Sequence, residues 1–130
     1  MLAKHRSGTK GMVGFADRIS GMEKIVFSKI KSEPAWQNTS FKKELTAEWI
    51  QDEKNKFGKD LIVFGGPGFI SQLLEMDPAD EFYFVIQPVI AGHGARLFSN
   101  YVNGRIKLKL QSVKDLSKNA VVLQYFADKN

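Results

Sequence analysis

The sequence predicts a three-layer α/β domain in which a mostly parallel sheet carries helices on both faces and ends in an antiparallel hairpin. Two observations lead to this fold class. Short continuous apolar runs alternate along the chain with longer segments that carry a helical apolar stripe, which is the order of strand–helix–strand units. Two further apolar segments, separated only by a short turn, end the chain.

Three continuous apolar runs predict strands that are covered on both faces, because a strand with one wet face would alternate instead. The predicted strands that contain these runs are residues 24–28, 61–64 and 81–89. Between the first two, residues 31–40 contain Pro34 and Asn38 and indicate a loop. The hairpin strands are predicted at residues 105–113 and 120–126, with a turn at 115–119.

Helices are predicted where apolar residues recur every three or four positions. The predicted helices are residues 11–22, 42–57 and 69–76. The stripe of the second begins at Phe41 and continues through Trp49, and Gly58 stands where a C-terminal cap belongs. Asp77-Pro78 is predicted to end the third helix.

Length and composition indicate one folded domain over residues 1–130, with residues 1–10 polar and expected to be flexible. Hydrophobic residues make up 43% and charged residues 25%, which is ordinary for a globular protein. Cysteine is absent, so a disulfide framework and a thiolate metal site are excluded. No apolar run is long enough to span a bilayer, and the expected location is the cytoplasm.

The formal net charge of +5 raises the question of a nucleic-acid partner. The basic residues are dispersed, however, and Lys107 and Lys109 alternate with apolar residues as on the wet face of a strand. A nucleic-acid-binding domain is therefore the weakest functional hypothesis for this sequence. The same positive field would favour a phosphorylated small ligand.

A glycine-rich turn joins the second predicted strand to the third predicted helix. Gly65 and Gly66 permit close approach of an anion to the main chain, and Pro67 suits the first turn of a helix. The following amides would point at a phosphate, aided by the helix dipole. The alternative is an ordinary tight turn. The candidate phosphate-binding residues are Gly65, Gly66, Pro67, Gly68, Phe69 and Ile70.

A second candidate position lies at the end of the first predicted strand. In open α/β sheets, ligands bind at the carboxyl ends of the strands. Ser28 and Lys29 could supply a hydroxyl and a cation to a further phosphate, and the alternative is a strand end that only meets solvent. His5 and His93 are too far apart in sequence to indicate a metal site. No catalytic residue is indicated.

Taken together, these motifs resemble the reductase domain of bacterial riboflavin biosynthesis (the RibD C-terminal domain) and its stand-alone dihydrofolate-reductase-like relatives. The resemblance extends from about Phe15 to Phe126. The matching segments are residues 24–29, 36–39, 59–70, 80–82, 87–94, 97–98 and 121–125.

The resemblance implies a dihydrofolate-reductase-like fold that binds NADPH and transfers hydride to a small pterin-like or phosphoribosylaminouracil-like substrate, in a homodimer. It implies that residues 65–70 hold the cofactor's pyrophosphate and that Ser28 and Lys29 lie near its adenosine phosphate. Family members also carry an earlier Ser-Leu-Asp-Gly-like motif and a Gly-Arg-Lys-Thr-Tyr motif, and neither occurs in this sequence. Because that segment supplies much of the substrate pocket, a non-catalytic nucleotide-binding or dimerisation module of the same fold is the second hypothesis.

Overall fold

The computed structural model describes residues 10–30, 36–58, 60–76, 79–98, 104–116 and 119–129. The predicted α/β class is confirmed. The helices are α1 (Lys10–Gly21), α2 (Ala47–Asn55) and α3 (Pro67–Met76); the strands are β1 (Lys24–Phe27), β2 (Thr39–Lys42), β3 (Glu81–Ile86), β4 (Leu108–Leu116) and β5 (Ala120–Ala127). Of the segment 1–10, predicted to be flexible, residues 1–9 lie outside the described residues, whereas Lys10 begins α1. The predicted helix stop at 77–78 also lies outside the described residues.

The chain divides into two compact units, Met1–Leu45 and Thr46–Asn130. The first contains α1, β1 and β2, and the second contains α2, α3 and the three remaining strands. The predicted single domain stays a prediction, and each unit is described by itself.

In the first unit, β1 and β2 form a parallel pair in which Lys24 lies opposite Thr39 and Phe27 opposite Lys42. The Lys24 side chain ties this pair to α1. Its Nζ donates to the carbonyl oxygens of Ile19 (3.0 Å), Ser20 (3.0 Å) and Met22 (2.7 Å). These carbonyls belong to the last turn of α1 or follow it, where the helix leaves its acceptors unsatisfied. One ammonium group therefore caps the helix and fixes where β1 begins.

In the second unit, an antiparallel sheet has the strand order β3-β5-β4, and the predicted C-terminal hairpin is confirmed. Leu116 pairs with Ala120 across the turn, where Asn119 takes a φ of +66°, a conformation that asparagine tolerates better than most residues. A bulge between Leu110 and Ser112 interrupts the β4–β5 register.

Aromatic rings stabilise one face of this sheet. The Phe84 ring contacts Phe82 in a stacked arrangement, and it meets Phe98 and Tyr125 edge to face. The centroid distances lie between 6.0 and 6.3 Å, within the range of favourable aromatic pairs. This face accounts for Phe82 and Phe84 of the third predicted strand. Tyr83, Val85 and Ile86 are exposed, so within the second unit the strand is not covered on both faces as predicted.

The predicted helix over residues 42–57 is shorter than expected. It begins at Ala47, because the Thr46 side chain accepts a hydrogen bond from the Trp49 amide at 3.2 Å and forms the N-cap. Phe41, predicted to begin the helical stripe, instead lies in β2, where it pairs with Val26 of β1. The predicted cap at Gly58 is also wrong, since the helix ends at Asn55 and Lys56 is the C-cap residue.

The predicted strand at residues 61–64 is absent. These residues have no regular secondary structure and no ladder partners among the described strands, and they are between 41% and 67% exposed. The apolar run gives this segment the propensity for a strand, but a strand also needs a neighbour to pair with. In the sheet of the second unit, β5 is the central strand and pairs with both β3 and β4.

Candidate anion-binding site

The glycine loop, residues 65–68, leads directly into α3. The Ile70 amide donates to the Gly66 carbonyl at 3.1 Å, which makes this the first bond of the helix and Gly66 its N-cap. Pro67 lies in the first turn, as predicted, where the missing N–H costs nothing, and the helix begins two residues before the predicted start at Phe69. The amides of a first helical turn have no carbonyl partner within the helix and carry the positive end of its dipole. The local geometry is therefore that of an anion-binding helix terminus.

The glycines of this loop differ in what surrounds them. A Cβ at Gly65 would lie 2.7 Å from Cδ1 of Phe69, whereas a Cβ at Gly66 or Gly68 would meet nothing within 4 Å. None of the three has the positive φ that only glycine adopts easily. Gly65 is thus needed for the close approach of the Phe69 ring rather than for an unusual backbone angle. The backbone that remains open to a ligand is that of Gly66 and Gly68.

Ser71, one turn further along α3, was not singled out by the sequence. Its side chain is buried (1% exposed), and its Oγ has no hydrogen-bond partner in the described part of the chain. Buried polar atoms in native proteins nearly always have a partner. The Ser71 hydroxyl therefore has unused hydrogen-bonding capacity on the buried face of α3, which it shares with Leu74. The available sequence signal was a small polar residue at helical spacing from Leu74, within the apolar stripe of α3.

The other predicted position, Ser28–Lys29, lies in the first unit at the carboxyl end of β1. The Ser28 amide continues the ladder by donating to the Lys42 carbonyl at 2.9 Å. Its hydroxyl is 3.2 Å from both the amide and the carbonyl oxygen of Ile30, so it closes a local turn. The Lys29 side chain is exposed and has no ion pair among the described residues. Lys29 is therefore the cation that this strand end offers to a ligand.

Asp80 forms an ion-pair cluster at the start of β3. Its carboxylate contacts the ammonium groups of Lys129 and of Lys54, the latter at 3.0 Å. Hydrogen bonds from Lys129 and Lys54 hold the pKa of the Asp80 carboxyl below its ordinary value of 3.8. Asp80 thus links α2, β3 and the end of β5, and it serves the fold of the second unit.

A polar cluster crosses all three strands of the antiparallel sheet. The Tyr83 hydroxyl donates to Glu81 at 2.8 Å and accepts from Gln124 Nε2 at 2.8 Å. Ser112 Oγ donates to Gln124 Oε1 at 2.9 Å. The hydrogen bond to the Glu81 carboxylate raises the pKa of the Tyr83 hydroxyl above its ordinary value. These side chains satisfy one another's hydrogen-bonding groups. Because the cluster forms across paired strands, predicting it would have required the strand register.

Among the described residues, no group of three or more His, Cys, Asp or Glu side chains could hold a metal ion. Within the same ranges, no helix is both long and apolar enough to cross a membrane.

Comparison with known proteins identifies relatives of this arrangement. The chain is 31% identical over 107 residues to the uncharacterized protein YyaP of Bacillus subtilis (strain 168), and 32% identical over 72 residues to the uncharacterized protein YwjB of the same organism. The first match covers 82% of this chain and 56% of YyaP, and the second covers 55% of this chain and 40% of YwjB. The chain therefore spans about half the length of the curated relatives it matches.

A crystal structure shows the fold. It is of a protein from Shewanella sp. PV-4 whose name assigns it to riboflavin biosynthesis, and it matches with a TM-score of 0.68 at 16% identity, covering 92% of this chain and 71% of that one. The dihydrofolate-reductase-like α/β fold implied by the resemblance is confirmed. Residues 21–122 match the family described as the RibD C-terminal domain, a span that includes both β1 and the glycine loop. This chain belongs to the RibD C-terminal domain family.

Proposed function

We propose that this chain is the cofactor-binding part of an NADPH-dependent reductase, with the pyrophosphate of the cofactor held at the N-terminus of α3. The observation that carries the proposal is the open backbone at Gly66 and Gly68, directly at a helix N-terminus. Family membership supports a reductase-like domain of the riboflavin pathway. When bound, NADPH would supply the hydride, and the substrate would be a small pterin-like or phosphoribosylaminouracil-like molecule.

The chain's own residues have separate tasks in this proposal. The N-cap residue Gly66 and the first-turn amide of Gly68 bind and orient a diphosphate. Each helix-terminus contact with an anion contributes about 0.3–1 kcal/mol, so several contacts are needed for useful affinity. The ring of Phe69 closes the side of the loop at Gly65, which directs an anion toward the open backbone.

Lys29 is proposed to discriminate between cofactors. Because the Ser28 hydroxyl already bonds to the backbone of Ile30, the exposed Lys29 ammonium is the group that could attract the 2′-phosphate that NADPH has and NADH lacks. Ser28 would position Lys29 by fixing the turn at the end of β1. An exposed pair of this kind contributes at most about 1 kcal/mol in ordinary salt.

The test compares thermal melting of the wild type with NADPH and with NADH. We expect NADPH to raise the melting temperature more than NADH does, and Lys29→Ala to remove most of that difference. Lys43→Ala is the matched control, because Lys43 is an exposed lysine of the same unit. Equal shifts with both cofactors in the wild type, or no shift, would contradict the proposal.

Turnover and assembly are tested separately. Consumption of NADPH with an aminouracil riboside phosphate would support a reductase. Saturable NADPH binding without turnover would favour the non-catalytic module. The homodimer belongs to the same proposal, and light scattering during gel filtration should give twice the mass of the chain.

A further inference from the structure

The strand β3 lies at one side of the sheet of the second unit, and its outer edge is unpaired. The strand order is β3-β5-β4, so β3 has a ladder partner on one side only among the described strands. The Ala127 amide donates to the Asp80 carbonyl at 2.9 Å, and in an antiparallel pair such bonded positions alternate with unbonded ones. Glu81, Tyr83 and Val85 therefore turn their main-chain N–H and C=O groups away from β5. The outer edge of β3 thus presents donors and acceptors to which a further strand can bind.

The opposite edge of the same sheet is protected, whereas the outer edge of β3 is not. On β4, a bulge between Leu110 and Ser112 breaks the register, and Lys109 and Lys114 add charges. Bulges and lysines are common means of preventing an edge strand from pairing with another chain. The strand β3 has a continuous register with β5 and, apart from Glu81, contains only apolar and aromatic residues. Its outer edge is therefore suited to accept a strand.

Exposed apolar and acidic groups accompany this edge. Tyr83 and Val85 are 60% and 51% exposed, and the apolar run 61–64 is exposed as well. The pKa of the Tyr83 hydroxyl is raised first by its hydrogen bond to Glu81, and the charge of Asp60, which precedes that run, adds to the effect. Asp60 is therefore near Tyr83. Neither Asp60 nor Glu81 forms a salt bridge within the described ranges, so the charge complement of this region is a lysine or an arginine.

We propose that the outer edge of β3 binds an extended segment of a partner polypeptide, apolar in sequence and with a lysine or arginine at the end that lies beside Glu81. Main-chain hydrogen bonds to Glu81, Tyr83 and Val85 supply the affinity, as in other cases of strand addition to a sheet edge. The basic residue pairs with the carboxylates of Glu81 and Asp60 and sets the direction of the added strand. This surface shares no residue with the glycine loop, so it does not depend on the proposed function.

Labelled synthetic peptides test the proposal on the wild-type protein. One begins with lysine and continues with alternating valine and threonine, another has its lysine at the last position, and each has a control with glutamate in place of lysine. We expect one lysine peptide to bind in fluorescence-anisotropy titrations, and its glutamate control to bind about fivefold more weakly at low salt. Binding should slow hydrogen exchange at the Tyr83 and Val85 amides. Exchange at Phe82 and Phe84, whose amides face β5, should change little.

A proline substitution tests the edge itself. Val85→Pro removes one outward-facing amide without removing a bond to β5, which is where an edge strand tolerates proline. Val113→Pro is the matched control on the β4 edge, because Leu123, the β5 partner of Val113, faces β3 with its main-chain groups. The two valines are similarly exposed, Val113 at 58% and Val85 at 51%. We expect Val85→Pro to weaken peptide binding about tenfold and Val113→Pro to bind as the wild type does.

Several outcomes would overturn the proposal. These are equal binding of the lysine and glutamate peptides, no binding by any of them, and an equal loss of affinity in the two proline variants. Unchanged exchange at Tyr83 and Val85 in the presence of a bound peptide would also overturn it. If light scattering shows a dimer for the wild type and a monomer for Val85→Pro, the edge pairs with a second copy of the chain, and the partner polypeptide is excluded.

Discussion

Replacing Gly66 by aspartate separates the stability of α3 from its ability to bind an anion. Aspartate is among the best N-cap residues and is favoured at the positive end of a helix dipole. A side chain at Gly66 meets no atom within 4 Å of its Cβ, so it enters without a clash. We therefore expect Gly66→Asp to leave the stability of the free protein unchanged or to raise it by a few tenths of a kcal/mol.

The same substitution should oppose the cofactor. Two like charges about 4 Å apart repel by about 4 kcal/mol at an effective dielectric constant of about 20. Gly66 is exposed, so screening lowers this, and about 1–3 kcal/mol is the reasonable range. That corresponds to a loss of NADPH affinity of roughly 5- to 150-fold.

Gly66→Asn is the matched control, because it has nearly the same shape and capping ability without the charge. Titration calorimetry with NADPH and with pyrophosphate measures the difference between the two variants, and chemical denaturation measures their stability. The difference in affinity should shrink as salt is added. Equal NADPH affinity in the aspartate and asparagine variants at low salt would refute an anion at this helix terminus.

Three further predictions concern the fold. Lys24→Met removes the three hydrogen bonds that cap α1 and should destabilise the protein by about 1–2 kcal/mol in urea denaturation; unchanged stability would contradict the capping role. Gly65→Ala forces the Phe69 ring to move and should cost about 1–3 kcal/mol, whereas the same change at Gly66 should cost less; equal costs would contradict the close approach. Because the pKa of Asp80 is lowered in the folded protein, its contribution is present above pH 3.8 and is lost as the pH falls through the lower folded value. The side chain is 57% exposed, so Asp80→Asn should cost at most about 1 kcal/mol at pH 7, and a difference from wild type that does not shrink as the pH falls below 3.8 would contradict this origin.

The elements that the sequence predicted well have local signals. The start of α3 is set by Pro67, whose ring suits a first helical position wherever the helix packs. The last hairpin combines two apolar segments with a short turn, and β5 was placed to within one residue. In both cases the information lies within a few residues of the element.

The failures concern pairing between distant segments. Residues 61–64 have the composition of a buried strand, but their partner is not encoded within the run itself. Phe41 continues a helical spacing into α2, and its membership in β2 depends on β1 more than a dozen residues earlier. The N-cap at Thr46 was a local signal that the apolar stripe obscured.

The candidate site shows the same division. The glycine loop and its helix were predicted because glycine, proline and a following apolar stripe are adjacent in sequence. The approach of Phe69 to Gly65 and the orphaned hydroxyl of Ser71 depend on side-chain packing, which the sequence did not reveal. The open backbone of the candidate site therefore lies at Gly66 and Gly68, whereas Gly65, also predicted to allow close approach of an anion, is covered by Phe69.

A backbone amide NMR titration of the wild-type protein with NADPH tests most directly whether the glycine loop binds the cofactor. Cofactor binding at the N-terminus of α3 should shift the Gly66, Gly68 and Phe69 amide signals most strongly among the assigned residues of the second unit. The amides of Gly92 and Gly94, which lie in another glycine-containing loop, should change little. Saturable shifts that leave the glycine loop unchanged, or no shifts at millimolar NADPH, would contradict the account.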